Sequence, residues 1–158
     1  MHNNDVLRSL RYAMDCSDAK IVRFAELGGI KVDKAEVSGI LKKEDEAGFL
    51  PCSNALLDAM LDGLIIERRG RIEPKPDQPP PAPIPFGNNG ILKKLRIAFE
   101  LREEDILAIM ELADFRVSKP EVGALSRKES HKNYRPCGDQ FLRYFFKGLA
   151  LRLRTTKS

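Results

Sequence analysis

Two Pro-Cys pairs invite a chemical reading of this chain: "FLPCSNALLDAMLDGL" at residues 49–64 and "YRPCGDQFLRYFFKGL" at residues 134–149. A cysteine just ahead of a helix lies near unpaired N–H groups and the positive end of the dipole. Both favour a thiolate, which is a nucleophile, a redox centre or a metal ligand. The second pair also sits among arginines, lysines and tyrosines, a mixture that binds phosphates and stacks on bases. Nucleophilic chemistry and polyanion binding are therefore the two chemistries to weigh.

The spacing favours a structural role for the thiols. If Ser53 and Gly138 cap the helices that follow, Cys52 and Cys137 precede the caps by one residue, and Leu57 and Leu142 stand at the fourth helical position. That is a hydrophobic staple, in which cysteine serves as a small apolar group. No histidine or second cysteine lies nearby in both segments. The chain has no glycine-rich phosphate loop, Cys-x-x-Cys, His-x-x-x-His or nucleophile elbow, and its only histidines are His2 and His131. A histidine-rich metal site is out of reach. Among carboxylates, Glu26 and Glu111, like Glu44 and Glu129, read as surface charges, and an acid/base pair needs both members in one cleft. The expectation is a protein that is not an enzyme, with no cofactor, no metal and no catalytic residue.

What places the two Pro-Cys pairs in matching frames is an internal repeat. Shifting the chain by 85 residues lays 3–70 on 88–155 without a gap, with 21 of 68 pairs identical. "NNDVLRSLRYA" falls on "NNGILKKLRIA", and "VDKAEVSGILKKE" on "VSKPEVGALSRKE". Cys16 falls on Leu101, which marks its position as apolar and part of the core. Three units follow: repeat 1 at 1–70, a linker at 71–87 and repeat 2 at 88–158. The linker holds seven prolines in 17 residues, so it favours polyproline II and reads as a spacer of about 50 Å when extended, rather than as a ligand for a recognition domain.

Each repeat reads as four helices, with no period-two alternation that would make a sheet. The first runs from an asparagine cap (Asn4, Asn89) through Val6, Leu7, Leu10, Ala13 and Met14, matched by Ile91, Leu92, Leu95, Ala98 and Phe99. The second buries Ile21, Phe24, Ala25 and Leu27, matched by Ile106, Ile109, Met110 and Leu112. The third opens with a capping box, Asp33 with Glu36 and Ser118 with Glu121, with Pro120 in the first turn. The fourth spans about 53–67 and 138–153. The second and third helices follow each other as in a helix-turn-helix, although the connection exceeds the usual three or four residues. The fold class is thus all-α, two tandem pseudo-symmetric four-helix repeats with helix-turn-helix-like elements. The broad apolar surfaces of the two fourth helices predict that they cover each other in one pseudo-two-fold body, with domain swapping the main variant.

Charge separates the repeats. Residues 3–70 carry a net −2 and residues 88–158 a net +6, within a total of +4. Asp58 and Asp62 correspond to Arg143 and Lys147, four residues apart and so on one helix face. With Arg127, Lys128, Lys132, Arg135, Arg152 and Arg154 these form a candidate basic surface on repeat 2, and Tyr134 and Tyr144 lie among them as candidate stacking rings. Three readings stay open: a solvated face, pairing with Asp58 and Asp62 of repeat 1 across the interface, or an acidic partner, with nucleic acid foremost. The functional expectation is a non-enzymatic binding protein with nucleic acid as the leading partner. The alternative is an adaptor that holds a partner protein on its helix faces.

No apolar run approaches the roughly 18 residues of a membrane helix, and the first residues lack a secretory pattern. Three cysteines make no disulfide framework, which points to a cytoplasmic protein that does not engage the membrane. The oligomeric state is not legible. Four segments, "NNDVLRSLRYA", "LKKEDEAGF", "NGILKKLRIAFELREEDILAI" and "HKNYRPCGDQFLRYFFKGLALR", resemble the YehS-like family of small bacterial proteins, built on a duplicated domain of unknown function. The resemblance covers nearly the whole chain outside the linker. It implies a cytoplasmic bacterial protein and brings with it no activity, cofactor or catalytic residue.

Overall fold

The computed structural model describes residues 1–71 and 75–155, which form eight helices and no strand. Repeat 1 supplies α1 (Asn3–Met14), α2 (Asp18–Leu27), α3 (Lys34–Ile40) and α4 (Asn54–Arg69). Repeat 2 supplies α5 (Asn88–Phe99), α6 (Glu103–Leu112), α7 (Lys119–Leu125) and α8 (Asp139–Thr155). Residues 72–74 of the linker and 156–158 of repeat 2 lie outside the described residues.

Local chemistry explains half of the eight helix starts. Ser17, Asp33, Ser53 and Ser118 each accept a backbone N–H of the first turn on their side chains, satisfying a donor that the helix leaves unpaired. The capping box closes reciprocally at Ser118 and Glu121, whereas at Asp33 only the cap bond forms. The expected asparagine caps are a correction. Helix α1 starts at Asn3 and α5 at Asn88, so Asn4 and Asn89 lie inside the first turn. Their amides turn away from their own helix. Asn4 Nδ2 donates to the carbonyls of Ile40 (2.8 Å) and Leu50 (2.9 Å), and Asn4 Oδ1 accepts from Cys52 N–H (3.1 Å). Asn89 repeats this with Leu125, Arg135 and Cys137. Asn3 and Asn88 bond the carbonyls of Cys52 and Cys137, both at 3.0 Å. The Asn-Asn and Pro-Cys motifs are thus two halves of one clamp that ties the start of each repeat to the loop before its last helix.

The apolar stripes bury largely as their periodicity requires. Val6, Leu7, Leu10, Ile21, Phe24, Leu57, Leu64 and their counterparts in repeat 2 belong to one continuous core. Leu112 departs from expectation: it is 47% exposed, at the last residue of α6, where the chain turns away. Within each repeat the last helix lies on the second, α4 on α2 and α8 on α6. Glycine permits this closeness: a Cβ on Gly63 would stand 1.7 Å from the carbonyl oxygen of Phe24, and one on Gly148 2.0 Å from that of Ile109.

Between repeats the packing differs from the expected pairing of the two fourth helices. Each fourth helix lies chiefly against the first helix of the other repeat, α4 on α5 and α8 on α1. Exchanging the repeats turns one contact into the other, so the arrangement keeps the pseudo-two-fold relation while crossing the partners. Phe145 and Phe146, like Met60 and Leu61, are buried, because the broad apolar surface of each last helix is covered by the second helix of its own repeat and by the first helix of the other.

Candidate functional site

Cys52 and Cys137 are 7% and 5% exposed and part of the core. Burial pushes the Cys52 thiol up to about 11 and Cys137 up to about 12, the latter raised further by the charge of Asp139. Both are protonated at neutral pH and act as small apolar groups beside Leu57 and Leu142. Cys16 is half-buried against the core, and burial likewise raises it. Among the described residues no cluster of three or more His, Cys, Asp or Glu is placed to hold a metal ion. Among the described residues no helix is long and apolar enough to cross a membrane.

Of the ten residues read as the basic surface, eight fall into two groups. Arg127, Lys128 and Tyr134 line a groove of about 430 Å³ between the 125–134 segment and linker residues 82–86. Lys132 and Arg135 are exposed on the same loop, whose backbone Asn89 holds at Arg135. Arg143 and Lys147 lie on α8 and line a different cleft, between α8 and α1. All six cations are exposed, and none forms an ion pair among the described residues. Tyr144 is half-buried with its ring 5.0 Å from that of Phe115, and the Lys147 ammonium lies over the Tyr144 ring, 6.0 Å from its centroid. Its ring is therefore engaged in packing. Tyr134 is half-buried in the linker groove.

The pairing of Arg143 and Lys147 with Asp58 and Asp62 is corrected by the structure. Lys94, which the sequence reading passed over, takes both acids: its ammonium is 2.6 Å from Asp58 and 2.7 Å from Asp62, and its side chain is 8% exposed. Burial alone would lower the Lys94 pKa. The hydrogen bonds and charges of the two acids outweigh it, and the net shift is upward. A helical spacing signal existed, since Lys94 follows Ile91 and precedes Leu95 on the α5 stripe, but its partners belong to the other repeat.

A second charge inversion is compensated in place. Lys20 of α2 pairs with Glu67 of α4 at 2.6 Å, and the equivalent positions in repeat 2 are Asp105 and Arg152, paired at 2.7 Å. Arg152 therefore leaves the open basic surface. The Arg102 backbone N–H and the Arg152 guanidinium hold Asp105 below the usual carboxylate range. Arg154 stacks on the Tyr12 ring at 4.2 Å and donates to the Tyr12 carbonyl.

Comparison with known proteins agrees with the duplicated architecture. An uncharacterized protein of Escherichia coli (strain K12), YehS, is 47% identical over 157 residues, covering 99% of each chain. No solved structure matches the chain. A family described as "Protein of unknown function (DUF1456)" matches twice, at residues 3–70 and 88–155. With eight helices in two equivalent sets and both sets matched, the chain belongs to this family of duplicated helical domains of unknown function.

Proposed function

We propose that the protein is a non-enzymatic binding module for nucleic acid, which it holds through the basic surface of repeat 2. One observation carries this reading: Arg127, Lys128, Lys132, Arg135, Arg143 and Lys147 are exposed cations without an ion-pair partner among the described residues. Elsewhere Lys20, Arg23, Lys94, Lys119 and Arg152 are matched to acids, and the unpaired cations of repeat 1 lie in a unit of net negative charge. Unneutralised charge spread over a loop and a helix attracts a polyanion irrespective of base sequence. The third helix of each repeat does not extend this to groove reading. Helices α3 and α7 are seven residues long, and their exposed first turns carry Glu36 and Glu121.

Fluorescence anisotropy with labelled single-stranded and duplex oligonucleotides tests the reading. Affinity is expected to fall with salt, with a log–log slope of about −0.7 per phosphate contact on single strands and about −0.9 on duplex. The K132E/R135E variant should weaken binding at least tenfold for all sequences alike. Absence of binding at low salt would overturn the proposal, and a protein that copurifies in stoichiometric amount instead of nucleic acid would favour the adaptor reading.

A further inference from the structure

The two inter-repeat contacts are equivalent in architecture and opposite in charge. Where α4 meets α5, Asp58 and Asp62 converge on the buried ammonium of Lys94, leaving one net negative charge on three groups in close contact. Where α8 meets α1, the equivalent residues are Arg143, Lys147 and Ser9. The acids have become cations and the lysine has become a short hydroxyl. The inversion at Lys20 and Glu67 is answered in place by Asp105 and Arg152. At Arg143 and Lys147 no ion pair among the described residues answers it: Asp139, whose carboxylate feels the charge of Arg143, is engaged by the N-terminal ammonium.

Volume is lost at the same place. Ser9 stands for Lys94 and Ala150 for Ile65, and a cleft of about 500 Å³ opens between the two helices. Its cationic wall is Arg143, Lys147 and Arg154. The guanidinium of Arg154 is fixed by the Tyr12 ring and carbonyl. Arg8 also reaches the cleft but is already engaged by Asp5 and by the Lys42 carbonyl. Phe146 supplies an apolar floor.

We propose that this cleft is a binding site for a phosphate monoester, created by the loss of symmetry between the two inter-repeat contacts. A monoester carries a charge of about −1.5 to −2 near neutral pH, which matches the two unanswered cations. Guanidinium groups suit its oxygens because they donate in a planar fork. The cleft has the size of a small-ligand site rather than of a lone ion, so the apolar floor and the Tyr12 ring are left to meet the organic group that bears the phosphate. The site shares Arg143 and Lys147 with the nucleic-acid surface and does not require it, because Ser9, Tyr12 and the Arg154 that Tyr12 holds lie outside the six cations of that surface.

Calorimetry on the full chain at low salt, with adenosine 5′-monophosphate as probe and adenosine as the phosphate-free control, tests this. The monophosphate is expected to bind and adenosine is not. The S9K/R143D/K147D variant rebuilds at this contact the constellation that already stands at the other one, so it should fold and melt near the parent temperature while losing at least tenfold in monophosphate affinity. Equal heats for monophosphate and adenosine, or a folded triple variant that binds as tightly as the parent, would overturn the proposal. A twelve-nucleotide strand with a 5′-phosphate, compared with one ending in a 5′-hydroxyl, separates the sources. A tenfold preference for the phosphorylated end assigns the cleft to a chain terminus, and no preference assigns it to a free small molecule. Monophosphate binding without oligonucleotide binding leaves this site standing and removes the nucleic-acid reading. Oligonucleotide binding without monophosphate binding does the reverse.

Discussion

Asn4 carries more structure than its size suggests. One amide satisfies two carbonyls and one N–H from three residues between 40 and 52, at a position only 7% exposed. Truncation would strand these backbone groups with little access to water, and each stranded group costs about 1–3 kcal/mol. Asn4→Ala is therefore expected to destabilise the protein by about 3 kcal/mol in denaturant unfolding, and Asn89→Ala by a similar amount. A loss within about 0.5 kcal/mol, the usual range of a surface change, would show that the clamp is dispensable. The neighbouring thiols are expected to be quiet. With burial holding Cys52 at about 11 and Cys137 at about 12, native protein at pH 7.5 should label mainly at half-buried Cys16, and Cys52→Ala should cost about 1 kcal/mol for its lost apolar contact. Rapid labelling of Cys52 and Cys137 before unfolding would restore the reactive reading. The sequence disclosed half of this unit. Pro-Cys before a capped helix was readable because the staple is local, whereas the asparagines were mistaken for caps because their true partners lie some 36 to 49 residues away.

At the scale of elements, the closest approach in each repeat is between its second and fourth helices, and it depends on one glycine. A Cβ at Gly63 or Gly148 would collide with backbone oxygen of α2 or α6, which no side-chain rotation relieves. Gly63→Ala and Gly148→Ala are each expected to cost about 3 kcal/mol, at the upper end of overpacking changes. Gly138→Ala, where an added Cβ meets nothing within 4 Å, should cost only about 0.5–1 kcal/mol, the difference between glycine and alanine at an N-cap. Comparable melting temperatures for all three variants would mean that the helices can shift apart. The same helix pairs carry the charge-swapped bridges, and these set an acid limit. Lys20 first, then Arg23, hold Glu67 below its ordinary value, as the Arg102 N–H and Arg152 do for Asp105. A depressed folded pKa means stability present above the ordinary carboxylate range and lost as pH falls through the folded value. Melting temperature should therefore hold from pH 7 to about 5 and then fall below about 4, with a shallower fall in Glu67→Gln. Helix number, the Asp33, Ser53 and Ser118 caps and the apolar stripes were legible because each is local to its segment. The crossed partners were not, since the stripes of α1, α4, α5 and α8 are all apolar and periodicity says which face is buried without saying against what.

The whole molecule is two repeats that each hand their first helix to the other's last. Repeat 1 alone would expose the α1 surface that α8 covers and the α4 surface that α5 covers. These two surfaces are pseudo-symmetric mates, so two copies of repeat 1 can satisfy each other by placing α4 of one on α1 of the other, twice, around a true two-fold axis. Charge decides how well. In the intact chain Asp58 and Asp62 meet Lys94, but in a dimer of residues 1–70 they would meet Ser9, leaving two pairs of acids unanswered. Ser9→Lys in that fragment would restore the Lys94 arrangement at both contacts. Residues 1–70 are thus expected to be less stable than the full chain and to dimerise weakly, and S9K should tighten the dimer at least tenfold by sedimentation equilibrium. The tightening belongs to a partly buried pair, so it should persist at moderate salt, where exposed pairs fade. Residues 88–158 provide the opposite case. Their dimer would set Lys94 against Arg143 and Lys147, like charges on both contacts, and should form only if Lys94→Ser removes the conflict. A fragment 1–70 as stable and monomeric as the full chain, or an S9K substitution without effect on its association, would show that the crossed packing is not what completes each repeat.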